Sequence, residues 1–87
     1  MPKIVEIKIE SGIPRKYLIE YFTSISDSYN EQGKFWGSDW EVEVGEEQYR
    51  KFGTIKIPAT QLIFRADKDR CNEIVKAFRL KFLSAGG

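Results

Sequence analysis

Three features of the 87-residue sequence predict an α+β fold in which one sheet carries two helices on one face. The segments run strand, helix, four strands, helix, a β-α-β-β-β-β-α order. Both helical segments and most of the strands are apolar on one side only, and a sheet with helices on a single face buries all of these faces together. The third feature is Lys51 to Arg65, KFGTIKIPATQLIFR, which reads as two strands around a tight Ile57-Pro58-Ala59 turn.

From Ile4 to Glu10, Val5, Ile7 and Ile9 alternate with Glu6, Lys8 and Glu10, the pattern of a half-buried strand. Ser11 and Gly12 break it. Pro14 suits the first turn of a helix, and Pro14, Tyr17, Leu18, Tyr21, Phe22 and Ile25 recur at helical spacing to about Ser26. Ile19 lies opposite that stripe. Asp27 to Gly33 is polar and reads as the longest loop, before a short aromatic segment at Phe35 and Trp36.

Trp40, Val42 and Val44 alternate with Glu41 and Glu43 in an amphipathic strand, and Gly45-Glu46-Glu47 reads as a turn. Gln48 to Ile57 follows as a longer strand with Ile55 and Ile57 inward and Gly53 marking a bulge or bend. Pro58 cannot donate to a ladder, so it belongs in the turn or at an edge. Leu62 and Phe64 then face in, while Gln61, Ile63 and Arg65 face out. Asp67 is a helix cap, and Asp69 suits the positive end of the helix dipole. The last helix buries Cys71, Ile74, Val75, Phe78 and Phe82 and leaves Leu80 on its far side.

The length fits one domain over residues 1–87. Fourteen basic and 13 acidic residues leave a net charge of +1, too little for strong long-range attraction to nucleic acid or anionic membrane. No apolar run approaches the ~18 residues that span a bilayer, and the amino terminus enters strand directly, so a cytoplasmic location is expected. Cys71, the one cysteine, sits at a core position and is expected to be a buried apolar residue.

Histidine is absent, which removes Ser-His-Asp and Cys-His catalysis and imidazole ligation, and one thiol cannot build a structural zinc site. Neither GxxxxGK[ST] nor GxGxxG occurs. Glu46 and Glu47 are adjacent carboxylates that read as a solvated acidic turn. The expectation is a non-enzymatic chain with no catalytic residue, metal or cofactor. Gly86-Gly87 follows a charged amphipathic helix, the context of capping rather than of a thiolated carrier tail.

The predicted outer sheet face carries Glu6, Lys8, Glu10, Glu41, Glu43, Lys56, Gln61, Ile63 and Arg65, acids opposite bases. It lacks the cationic surplus and apolar wedges that a DNA-bending face needs. Trp40 reads as core, whereas Trp36, in a short segment between Gly33 and Gly37, reads as a lid on the sheet or a contact residue.

The Pro-initiated helix IPRKYLIEYF, the turn GKFWGSDW, the hairpin KFGTIKIPATQLIF and the closing helix before Gly-Gly together resemble the carboxy-terminal domain family of MoaD-related proteins. The likeness spans nearly the whole chain and FGTIKIP is its most specific part. It implies a fold like that of TATA-box-binding proteins, a curved antiparallel sheet backed by two helices. In some members this domain is fused behind a ubiquitin-like sulfur carrier used in molybdopterin synthesis; here that carrier domain is lacking.

The resemblance implies an accessory of the molybdenum or tungsten cofactor pathway, with a sulfur-carrier or cofactor-synthesis protein as partner, or self-association into a homo-oligomer. Ile19, Trp36, Ile63 and Leu80 are the candidate contact residues. Leu80→Glu is expected to weaken the contact. The alternative is a small-ligand protein holding a pterin-like molecule between sheet and helix through Tyr17, Tyr21 and the tryptophans.

Overall fold

The computed structural model describes residues 3–86, with side chains through residue 83. Strand β1 is Ile4–Ser11, helix α1 is Arg15–Ile25, strands β2 to β5 are Ser28–Tyr29, Lys34–Trp36, Trp40–Phe52 and Ile55–Asp67, and helix α2 is Lys68–Gly86. The strands form one antiparallel sheet in the order β1-β5-β4-β3-β2. Both helices pack on the same face, α1 over β4 and α2 over β5 and β1. The predicted α+β order and layering are those of the molecule.

The core follows from strand register. Ile7, Phe64, Val42 and Phe35 make one row across four strands, and Ile9, Leu62 and Val44 make the next. Val42, Leu62 and Phe64 are fully buried under Leu18 and Phe22 of α1 and Cys71, Ile74 and Phe78 of α2. Phe22 stacks on Phe78 at 5.8 Å between ring centroids and meets Phe64 nearly edge-on at 6.0 Å, so aromatic rings weld the two helices to the sheet. Trp40 closes one end of this core, as expected, with its indole packed against Gly37.

The middle of the chain departs from the predicted turns. Gly45-Glu46-Glu47 is not a turn: β4 runs straight through it with a register shift between Val44 and Glu47, a bulge that keeps both Val44 and Glu47 on the helix side. Ile57-Pro58-Ala59 is not a turn either. The reversal occurs at Gly53-Thr54, where Gly53 takes φ +63° between the paired Phe52 and Ile55. Glycine first in a two-residue loop is the requirement of a type II′ hairpin.

Pro58 lies inside β5 opposite Tyr49. Counting from the Phe52↔Ile55 pair that closes the turn, Tyr49↔Pro58 is a position without ladder bonds, so the missing N–H faces away from β4. On that side β1 has already ended at Ser11, opposite Thr60. The edge half of the sequence expectation for Pro58 therefore holds.

Two smaller departures remain. The polar stretch before Gly33 contains β2, and Pro14 stands just before α1 as its N-cap residue rather than in its first turn. Asp67 caps α2 as expected, its Oδ1 accepting from the Arg70 N–H at 3.0 Å. Helix α2 extends to Gly86; Gly87 lies outside the described residues, and with it the Gly86-Gly87 expectation.

Candidate interaction surfaces

Beyond the bulge, β4 and β5 leave the helices behind and form a two-stranded arm, Gln48 to Phe52 paired with Ile55 to Ala59. The molecule is accordingly long, 49 × 25 × 21 Å. Period-two alternation puts Phe52, Ile55 and Ile57 on the outer side of the arm and Tyr49, Lys51, Lys56 and Pro58 on the helix side. Ile55 and Ile57 are thus exposed rather than inward, because no layer covers them. Phe52 and Ile55 are 61% and 62% exposed, a value for surface loops rather than for paired apolar strand residues. Lys56 turns away from the outer face predicted for it and stands directly opposite Lys51. Like charges in that position destabilise a bare ribbon.

The root of the arm is built. Pro14 offers no side-chain acceptor and the first turn of α1 has no acid, so the helix start is capped from a distance: Glu47 Oε1 accepts from the Arg15 N–H at 2.6 Å. Glu47 Oε2 also accepts from the Tyr49 hydroxyl at 2.5 Å. The Tyr49 bond, then the Arg15 N–H, hold the Glu47 carboxyl below the usual carboxylate range, and the same bond raises the Tyr49 phenol. Glu47 is therefore a helix-capping strand residue, not part of a solvated acidic turn. Arg15 Nε donates to the bulge carbonyl of Gly45 at 2.8 Å. Gly33, at φ +94°, leaves room for this: a Cβ there would lie 2.6 Å from Arg15 Nη2 and 2.7 Å from the Val44 carbonyl oxygen. On the outer side Arg50 grips Glu10 with both its Nε and its Nη2, which lowers the Glu10 pKa.

The outer face of the body is occupied by its own charges. Arg65 Nη1 reaches Glu41 at 2.6 Å, its Nε reaches Glu6 at 3.0 Å, and its Nη2 reaches Glu43 at 3.4 Å. Trp36 lies on this face with its indole N–H donating to Glu41 at 3.0 Å. Acids opposite bases are as expected, and the one central guanidinium is spent on carboxylates rather than presented to phosphate.

The four predicted contact residues do not converge. Trp36 and Ile63 share the outer sheet face on different strands, and both are half-buried. Ile19 is half-buried and packs against the core, so it is not an exposed contact. Leu80 is exposed on α2 with Leu83 one turn away. The residues proposed for a pterin-like ligand are also scattered: Tyr17 and Tyr21 line a groove of about 590 Å³ with Ile13, Glu20 and Phe82, while Trp40 is core and Trp36 is across the sheet. Cys71 is fully buried against the backbone carbonyls of Val5, Phe64 and Ala66, and desolvation raises its thiol pKa. It is the inert core residue expected. Among the described residues no three His, Cys, Asp or Glu side chains cluster to hold a metal, and no helix is long and apolar enough to cross a membrane.

The missed surface is the arm. Its sequence signal was length: α1, at 11 residues, spans about 16 Å, whereas a 13-residue strand reaches about 43 Å, so one helix layer cannot cover both halves of such a hairpin.

Fold and surfaces together define a small two-layer α+β domain with an uncovered hairpin arm. The chain belongs to the family described as Archaeal MoaD-like protein, whose model matches residues 6–87. Comparison with curated proteins and with solved structures returned no match.

Proposed function

We propose that this protein is a non-enzymatic interaction module of molybdenum or tungsten cofactor biosynthesis, docking a sulfur-carrier or cofactor-synthesis protein through the β4–β5 arm. The pathway rests on the MoaD-like family. The arm carries the surface part of the reading, since an isolated two-stranded ribbon is marginal in water and gains from a covering partner. Phe52, Ile55 and Ile57 supply the apolar contact. Lys51 and Lys56, opposed and without an ion pair among the described residues, favour an acidic partner surface.

The test is a pull-down from extract of the native host with intact protein as bait and mass spectrometry of what is retained. Recovery of sulfur-carrier or cofactor-synthesis proteins by the wild type and their loss with Phe52→Ser/Ile55→Ser is the expected result. Equal recovery by that variant, with loss in Leu80→Glu, moves the contact to α2; recovery of no such protein removes the pathway.

A further inference from the structure

Strand β1 is an edge of the sheet among the described residues, paired with β5 on one side and with none of their strands on the other. Which of its backbone groups face that open side follows from the hairpin turn. Ladder bonds alternate, so Pro58, Thr60, Leu62, Phe64 and Ala66 all direct their backbone groups away from β4 and toward β1. The Val44 N–H, whose partner residue is Leu62, agrees: it turns from β5 and donates to the Gly33 carbonyl at 2.8 Å. Val5, Ile7, Ile9 and Ser11, opposite those β5 residues, are therefore the ladder-bonded residues of β1. Ile4, Glu6, Lys8 and Glu10 turn their N–H and C=O groups to the open edge.

The side chains of this edge are self-complementary. On the outer face Glu6 pairs with Arg65 and Glu10 with Arg50, whereas Lys8 stands opposite Ile63 and has no ion pair among the described residues. On the inner face Val5, Ile7 and Ile9 are only half-buried, although their row-mates Ala66, Phe64 and Leu62 are 0–2% exposed. The apolar rows reach the edge without ending.

We propose that the protein forms a two-fold dimer by antiparallel pairing of β1 with β1 of a second copy, in the register centred on Ile7. That register sets each Glu6 opposite the other copy's Lys8, Val5 opposite Ile9, Ile4 opposite Glu10 and Ile7 opposite itself. Glu6↔Lys8 and Ile4↔Glu10 are then ladder-bonded pairs, using the backbone groups that face the edge. Centring on Glu6 or Lys8 would oppose like charges, and a one-residue slip would place apolar side chains against the charged face. Centring on Ile9 runs the strand off its end into Gly12 and the helix approach. Edge strands are templates for pairing unless blocked, and here Lys8, the β1 charge without an ion pair among the described residues, becomes the complement of Glu6. The dimer extends the interaction reading to a second copy and leaves the arm free, so either can fail alone.

Sedimentation of the intact protein across micromolar to hundreds of micromolar concentration tests it, with circular dichroism to verify folding. The wild type is expected to dimerise, and Lys8→Glu to weaken dimerisation about tenfold or more. Glu6→Lys should do the same alone, yet an equimolar mixture of Glu6→Lys and Lys8→Glu should dimerise again, because every cross-strand pair is then opposite in charge. Lys8→Pro removes an edge-facing N–H without touching the β5 ladder, so it should fold and remain monomeric. A wild type that stays monomeric throughout, or a dimer indifferent to Lys8→Glu and Lys8→Pro, overturns the proposal whatever the pull-down returns.

Discussion

The same two strands lead different lives on either side of the Val44–Glu47 bulge. In the body, Val42, Val44, Leu62 and Phe64 are sealed under two helices; in the arm, Ile55 and Ile57 alternate with Lys56 and Pro58 in the same way, and share their face with Phe52, yet all three apolar residues stay exposed. Strand pairing is shared by both halves, so it does not explain the burial. A helix layer does, and α1 ends its reach where Glu47 and the Gly45 carbonyl take hold of Arg15. Alternation in sequence reports that a residue can face a core, not that a core is there.

The sharpest way to break this contrast is to truncate the body. Phe64→Ala removes a ring packed against Phe22 and Phe78 and should cost about 3–5 kcal/mol in denaturant unfolding. Gly37→Ala comes next, at about 1–3 kcal/mol, because the new methyl collides with the Trp40 indole and pushes it from the core. Small effects at both positions would mean that the body is not the packed half.

The junction should respond less and with a pH signature. Glu47→Gln weakens the borrowed cap of α1 and should lower Tm by about 5 °C near neutral pH. The native carboxyl titrates below its ordinary value of 4.5, so its contribution is complete above that value and fades as pH falls through the lower folded pKa. Thermal melts of the two proteins should therefore converge in acid; a gap that widens there would contradict the capping role. Smallest of all, Cys71→Ala should leave native behaviour nearly intact, and the wild-type thiol should label with a thiol reagent only as fast as the protein unfolds.

Much of the body was legible beforehand. Ile4–Glu10, Trp40–Val44 and Leu62–Phe64 alternate cleanly, and the stripes through Leu18 and Phe22 and through Cys71, Ile74 and Phe78 mark the helix faces that cover them. The turns are less legible, for local reasons. Proline marks a turn only where its missing N–H matters, and at Pro58 the neighbouring strand has already ended. Gly45-Glu46-Glu47 interrupts the period of two because a bulge adds a residue, which resembles a reversal in sequence. Gly53, read as a bend, is the reversal. The half-burial of Ile19 is not legible in the helical period, because a half-buried helix flank differs from an exposed one only in what lies beside it. The arm's exposure and the openness of β1 are properties of topology, which no window of residues contains.

The body holds the fold, and the arm is proposed to bind. Measuring unfolding free energy and partner capture together on Phe52→Ser/Ile55→Ser tests it most directly. Stability within about 0.5 kcal/mol of the wild type, with capture of the proposed cofactor-synthesis partner lost, is the expected result. A variant that unfolds readily, or that keeps both its stability and its partner, would contradict it.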